Sequence, residues 1–198
     1  MSNGMNVTSK THFIAKTAIL SVLAYVVYLI EIPVFFAPVF LKIDASDLFA
    51  LLGAFAMGPL AGVAIELIKN LLHMITVGSS GGIGELANFI VGIAWILPAA
   101  IIYRRRKTKK SAVLGMAIGI IIMAGVAAIF NYYVLIPFYT RFMPIEAIIG
   151  MGSAVNASIV DLKSLIIYAI IPFNLFKGII ITVITALVYK KLSPILHK

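Results

Sequence analysis

The chain has no cysteine, a single tryptophan and little charge: only 12% of its 198 residues are Asp, Glu, Lys or Arg, and acidic residues number 7 against 16 basic ones. Without cysteine there is neither a disulfide framework nor a thiolate metal site. The scarcity of charge excludes a soluble globular domain. Such domains are near ~25% charged and ~45–50% apolar, whereas 62% of this chain is hydrophobic and its mean hydropathy is +1.11. A Walker-type phosphate loop is also missing, since Gly78-Ser79-Ser80-Gly81-Gly82-Ile83-Gly84 lacks the lysine and the strand-to-helix setting. A membrane protein of this length leaves no room for an aqueous ATPase domain, so energy from nucleotide hydrolysis would have to come from another subunit. No internal repeat is evident, which argues against an inverted-repeat secondary transporter.

What the sequence has is apolar blocks, at about 12–32, 47–77, 86–103, 111–136 and 164–189. Runs such as Ile118 to Met123 and Ile179 to Ile184 do not alternate, which excludes a transmembrane β-barrel and leaves helices. The net charge of +9 is concentrated beside these blocks, in Arg104-Arg105-Arg106-Lys107-Thr108-Lys109-Lys110 and at Lys10, Lys16, Lys190, Lys191 and Lys198. These read as cytoplasmic anchors, not as a nucleic-acid patch. If residues 10–16 and 104–110 share a side, an even number of crossings separates them. The block at 47–77 therefore holds two helices, broken at Gly58-Pro59, because proline favours a first helical turn and disfavours helix in the residue before it.

The expected fold is an all-α integral membrane protein with one substrate-binding domain over 1–198. It has six transmembrane helices, at 12–32, 46–57, 59–77, 85–103, 111–136 and 164–190, and both termini are cytoplasmic. Glu31, Asp44, Asp47, Glu85, Glu146 and Asp161 then fall outside. The first apolar run leads into Glu31-Ile32-Pro33 instead of a small-residue cleavage site, so it reads as a helix and not a signal peptide. Two long outer segments, Pro33 to Ser46 and Pro137 to Val160, are of a kind that usually binds or gates something.

Polar residues inside the apolar blocks are costly and therefore informative. Glu66, Lys69, Asn70 and His73 share one helical face, with Glu66 expected to pair with Lys69. Asn131 lies ~8 Å below the expected outer end of the fifth helix. Pro172 is read as a first-turn residue of the last crossing, which places Asn174 and Lys177 on one face flanked by Phe173 and Phe176. With Tyr132, these residues outline an aromatic pocket whose two carboxamides and one ammonium suit a flat heterocycle with imide and carbonyl groups. The same residues also suit a purely structural role, in which the asparagines tie helices together and Lys177 snorkels. His73 and Glu66 are too few ligands for a metal site. Ala15, Ala18, Ser21 and Ala24 form a stripe of small residues on which another helix, internal or foreign, could pack. Ser79, Ser80 and His73 match an intramembrane hydrolase by residue type alone, and no filter-like run supports a channel.

Three runs are familiar: Leu41-Lys42-Ile43-Asp44-Ala45-Ser46-Asp47-Leu48-Phe49-Ala50-Leu51-Leu52-Gly53-Ala54-Phe55, then Gly58-Pro59-Leu60-Ala61-Gly62, then Glu66-Leu67-Ile68-Lys69-Asn70-Leu71-Leu72-His73. Across essentially its whole length the chain resembles the substrate-binding S component of energy-coupling factor (ECF) vitamin transporters. The first and third runs are particular to the riboflavin group, and Gly-Pro-x-x-Gly is shared by several vitamin specificities. The resemblance implies a multi-pass protein of the cell membrane, not an enzyme. It captures riboflavin from outside and docks to one transmembrane coupling protein and two ATPase subunits; FMN is a further expected ligand, because a phosphate projecting into the loop region need not enter the membrane. It implies a substrate site at Asn131, Asn174 and Lys177, with Asp44, Ala45 and Asp47 at the end of a capping loop, and no catalytic cofactor. The family's Ala-x-x-x-Ala docking motif is not matched letter for letter; Ala15, Ala18, Thr17 and Ser21 are its nearest equivalents. An S component for thiamine, biotin or another small vitamin is the alternative reading.

Overall fold

The computed structural model describes residues 7–78 and 80–196, with side chains described for 10–78 and 80–188; Ser79, Lys198 and the side chains of Lys190 and Lys191 lie outside that range. Helix α1 (Val7–Tyr28) leads into a small antiparallel hairpin of β1 (Ile32–Pro33) and β2 (Lys42–Ile43). Helices α2 (Asp47–Met57), α3 (Pro59–Thr76), α4 (Ile83–Arg106) and α5 (Lys109–Phe130) follow. A π-helical turn, π1 (Asn131–Leu135), carries α5 into α6 (Ile136–Tyr139). After α7 (Ile145–Ser153) the last rod is built the same way, from α8 (Leu162–Leu165), π2 (Ile166–Ile170) and α9 (Ile171–Leu196).

Five stretches are long and apolar enough to cross a membrane: Lys10–Tyr28, Pro59–Thr76, Ile83–Arg106, Lys109–Tyr139 and Leu162–Val188. The chain is a multi-pass membrane protein. Helix α2 is apolar but has only 11 residues, or ~16 Å of rise against a hydrocarbon thickness of ~30 Å. The break expected at Gly58-Pro59 is present. Gly58 has φ 103°, a conformation costly for any residue with a Cβ, and Pro59 starts α3 at a position where its missing N–H is no loss.

The structure departs from the sequence expectations at three helix ends. Helix α1 stops at Tyr28, not at residue 32, because Ile32 and Pro33 are taken into the hairpin opposite Ile43 and Lys42. The fifth rod runs on to Tyr139, which places Asn131 ~12 Å from its end instead of ~8 Å. Pro172 is not a first-turn residue, since helix begins at Leu162, ten residues before it. Both interior prolines, Pro137 and Pro172, are separated from the π turn before them by a single residue. A proline ring collides with the carbonyl four residues back, here Tyr133 or Tyr168, and the wider turn relieves that collision. The segment from Pro137 to Val160 is likewise no open loop: it contains α7, which buries Ile148.

Packing brings the rods close where side chains are small. A Cβ on Gly115 would lie 2.7 Å from the Ala99 carbonyl oxygen, and one on Gly119 2.6 Å from that of Trp95, so α5 lies directly against α4. Between them the buried Trp95 indole donates to the Met116 carbonyl at 3.1 Å. The main core gathers Leu51, Ile65, Trp95, Ile96, Met116 and Ile181, and a second cluster of Ile136, Ile148, Ile159, Leu165 and Ile170 supports the two π turns. The basic turn at 104–110 is fully exposed, and a reciprocal Thr108–Ser111 capping box starts α5 there.

Candidate functional site

A cavity of about 500 Å³ opens among the hairpin, the helix ends and the 143–151 segment. Phe40, Leu41, Lys42 and Asp44 of the hairpin region cover it, Met143, Ile148 and Met151 close one flank, and Val91, Met123, Ala127 and Phe173 supply apolar wall. Asn131, Asn174, Lys177, Asp44 and Asp47 all line it, although they come from places up to 133 residues apart in the chain.

The buried charges form one connected group. The Lys177 ammonium lies 3.0 Å from a carboxylate oxygen of Asp44 and 3.0 Å from one of Asp47. On the far side of Asp47, Lys69 donates to it and to Ser46 Oγ at 2.7 Å, and its ammonium is ion-paired with Glu66 at 2.8 Å. Asp44 Oδ1 in turn accepts from the Ser46 backbone N–H at 2.9 Å and from the Ser46 hydroxyl. Burying an ion costs several kcal/mol unless it is paired and hydrogen-bonded, and here each ion touches a counter-ion. The expected Glu66–Lys69 pair exists, but Lys69 equally holds Asp47. Nor is Lys177 an uncommitted ammonium: two acids from the hairpin end and the start of α2 position it.

The two amides differ from the ions. Asn131 Nδ2 donates to the Ala127 carbonyl and Asn174 Nδ2 to that of Ile170, both at 2.8 Å and one helical turn back. Each is 7% exposed and faces the cavity. One amide hydrogen is thus committed to the helix, while the carbonyl oxygen and the second hydrogen are left to the cavity side.

Three expected substrate residues do not line the cavity. Tyr132 is turned away from Asn131 around the helix axis and meets Tyr133 edge-on at 4.8 Å. Phe176 is likewise turned away from Lys177 and meets Phe36 of the hairpin connection at 5.0 Å. Ala45 packs against the main core. The docking stripe is also divided. Ala15 and Ala18 are exposed, whereas Ser21 is fully buried with its hydroxyl on the Thr17 carbonyl at 2.8 Å, so Ser21 belongs to the interior and not to a docking face.

Sequence reasoning missed a second polar group in the cavity wall. His73 Nδ1 lies 2.9 Å from Glu85 Oε1, and Ser80 donates to Glu85 Oε2 at 2.7 Å. Tyr28 stacks on the His73 ring at 4.0 Å, and Asn88 lies one turn beyond Glu85. The available signal was an acid and an amide at i, i+3 between Gly84 and Gly92 in an apolar helix. Among the described residues no hydrogen bond joins Ser80 to His73, and both engage Glu85; Ser79, the other serine of the hydrolase reading, lies outside them. Among the same residues no cluster of three His, Asp or Glu is placed to hold a metal ion.

Comparison with known proteins adds a family and relatives. A family model described as ECF transporter, substrate-specific component, matches residues 12–189. The chain is 36% identical over 187 residues to the protein named Riboflavin transporter FmnP of Bacillus subtilis (strain 168), covering 93% of this chain and 94% of that one. It is 36% identical over 182 residues to Riboflavin transporter RibU of Staphylococcus aureus (strain TCH60), with coverage of 91% and 90%. A solved structure described as the S component of a bacterial ECF transporter superposes with a TM-score of 0.75 at 33% identity, covering 96% of this chain and 99% of that one.

Proposed function

The chain belongs to the family of ECF transporter substrate-specific components, and from that premise we propose that its cavity captures riboflavin for uptake. It is a transport component and not an enzyme, and membership implies association with the ECF module. In this reading the whole chain acts as one substrate-binding unit, with six helical crossings, both termini cytoplasmic and the cavity facing outwards. It hands riboflavin to a module of one transmembrane coupling protein and two ATPase subunits. Ala15 and Ala18, on the exposed side of α1, are the residues of the expected docking stripe that remain available to such a partner.

The observation that carries the reading is the convergence of Asn131, Asn174 and Lys177 on one cavity wall, in a chain 36% identical to two proteins named riboflavin transporters. Riboflavin presents a ring edge of alternating donors and acceptors. The amide oxygens and remaining amide hydrogens match that edge, and Lys177, fixed by Asp44 and Asp47, supplies a donor of set direction. Phe173 and the apolar wall receive the ring face. The hairpin covers the mouth, and Asp44 ties it to Lys177 on α9, so the cap and the ammonium are held in place by the same contact. Calorimetric titration of the purified protein with riboflavin tests the reading. Saturable binding near one per chain is expected; thiamine or biotin binding in its place would overturn it.

A further inference from the structure

Glu85 lines the cavity yet has no part in the amide and ammonium group described above. It is 6% exposed, and its two carboxylate oxygens are held by different elements: Oε1 by His73 of α3 at 2.9 Å, Oε2 by Ser80 of the α3–α4 connection at 2.7 Å. Tyr28 separates the two polar groups, stacking on His73 at 4.0 Å with the Lys69 ammonium 5.7 Å from its ring centre. The partners holding Glu85 are an imidazole and a hydroxyl, not a lysine or arginine, so the carboxylate is oriented by them without a permanent cation beside it. An ionised carboxylate has about four acceptor positions, and the His73 and Ser80 side chains together with the residue's own backbone N–H leave at least one of them open. Gly84, directly before Glu85, also lines the cavity and has no side chain to cover the acid.

We propose that Glu85, held by His73 and Ser80, is a specificity-determining residue that accepts hydrogen bonds from hydroxyl groups on the ligand's side chain. This rests on the riboflavin reading, in which the ring edge meets Asn131, Asn174 and Lys177, and the polyol chain carries the hydroxyl donors. An oriented anion suits neutral donors of that kind and disfavours a side chain that is purely apolar.

The test compares riboflavin with lumiflavin, a flavin that has a methyl group in place of the polyol, by quenching of flavin fluorescence on titration with the purified protein. E85Q is expected to weaken riboflavin about five- to tenfold while leaving lumiflavin within about twofold, since a charge-assisted hydrogen bond is roughly twice as strong as a neutral one. S80A, which removes one orienting donor and keeps the acid, is expected to act in the same direction by about two- to threefold. Equal loss of both flavins in E85Q would make the acid a structural support and overturn the assignment; so would unchanged binding of both. Failure of the unaltered protein to bind either flavin would instead overturn the riboflavin reading itself.

Discussion

The charged group and the amide pair meet in one cavity but use their hydrogen-bonding capacity in opposite ways. Asp44, Asp47, Glu66, Lys69 and Lys177 answer one another, and four elements are bound together in doing so: the end of the hairpin, α2, α3 and α9. Asn131 and Asn174 each make one bond, to their own helix, and keep the rest facing the cavity. The ions therefore act chiefly on stability and on the position of the cap, with Lys177 alone also turned to the ligand, and the amides chiefly on ligand affinity. A residue's burial does not tell these cases apart, since both groups are hidden from solvent; its unused donors and acceptors do.

That contrast is open to direct attack. The largest effect is expected from Lys69→Met, which leaves Glu66 buried without its cation and Asp47 with Lys177 alone, and should destabilise the protein by about 3–5 kcal/mol. Thermal unfolding in detergent would show it, and an unchanged midpoint would break the distinction from the ionic side. Next, Asn174→Ala should weaken riboflavin by about 1–3 kcal/mol while moving the unfolding midpoint little. Calorimetric titration and the same thermal scan separate the two quantities, and affinity equal to the parent removes Asn174 from the site. Glu31→Gln breaks the 2.6 Å pair with Lys42 at the hairpin, but both side chains are about a third or more exposed, so a stability change below about 1 kcal/mol is expected. The smallest effect belongs to Tyr132→Phe, because Tyr132 lies outside the cavity wall. Riboflavin affinity should stay within about twofold, and a tenfold loss would return Tyr132 to the site.

Several features of the fold were legible before any coordinates. The break at Gly58-Pro59 follows from backbone sterics at two residues, and the buried face of Glu66, Lys69, Asn70 and His73 follows from helical spacing and the cost of charge in an apolar helix. Less legible were features that depend on what stands opposite. The helix spacing of Asn174 and Lys177 put them on one face, but nothing local said that Asp44, 133 residues away, would engage that lysine. Tyr132 and Phe176 looked like walls because they are aromatic neighbours of site residues, yet one step along a helix turns a side chain towards a different face. Ser21 read as a docking residue because small side chains permit close approach from either direction, and the structure uses it internally.

By itself, then, the sequence determined the membrane class, the helical state, the breaks between rods and the small set of polar residues too costly to face lipid, since all of these rest on composition and on interactions within a few residues. The tertiary structure alone decided how those polar residues are shared: Lys69 and Lys177 on either side of Asp47, the amides half committed to their helices, and Glu85 held between His73 and Ser80. Which donor meets which acceptor is set by how helices distant in sequence are rotated and how deep they sit against one another, and that depends on packing of the entire bundle.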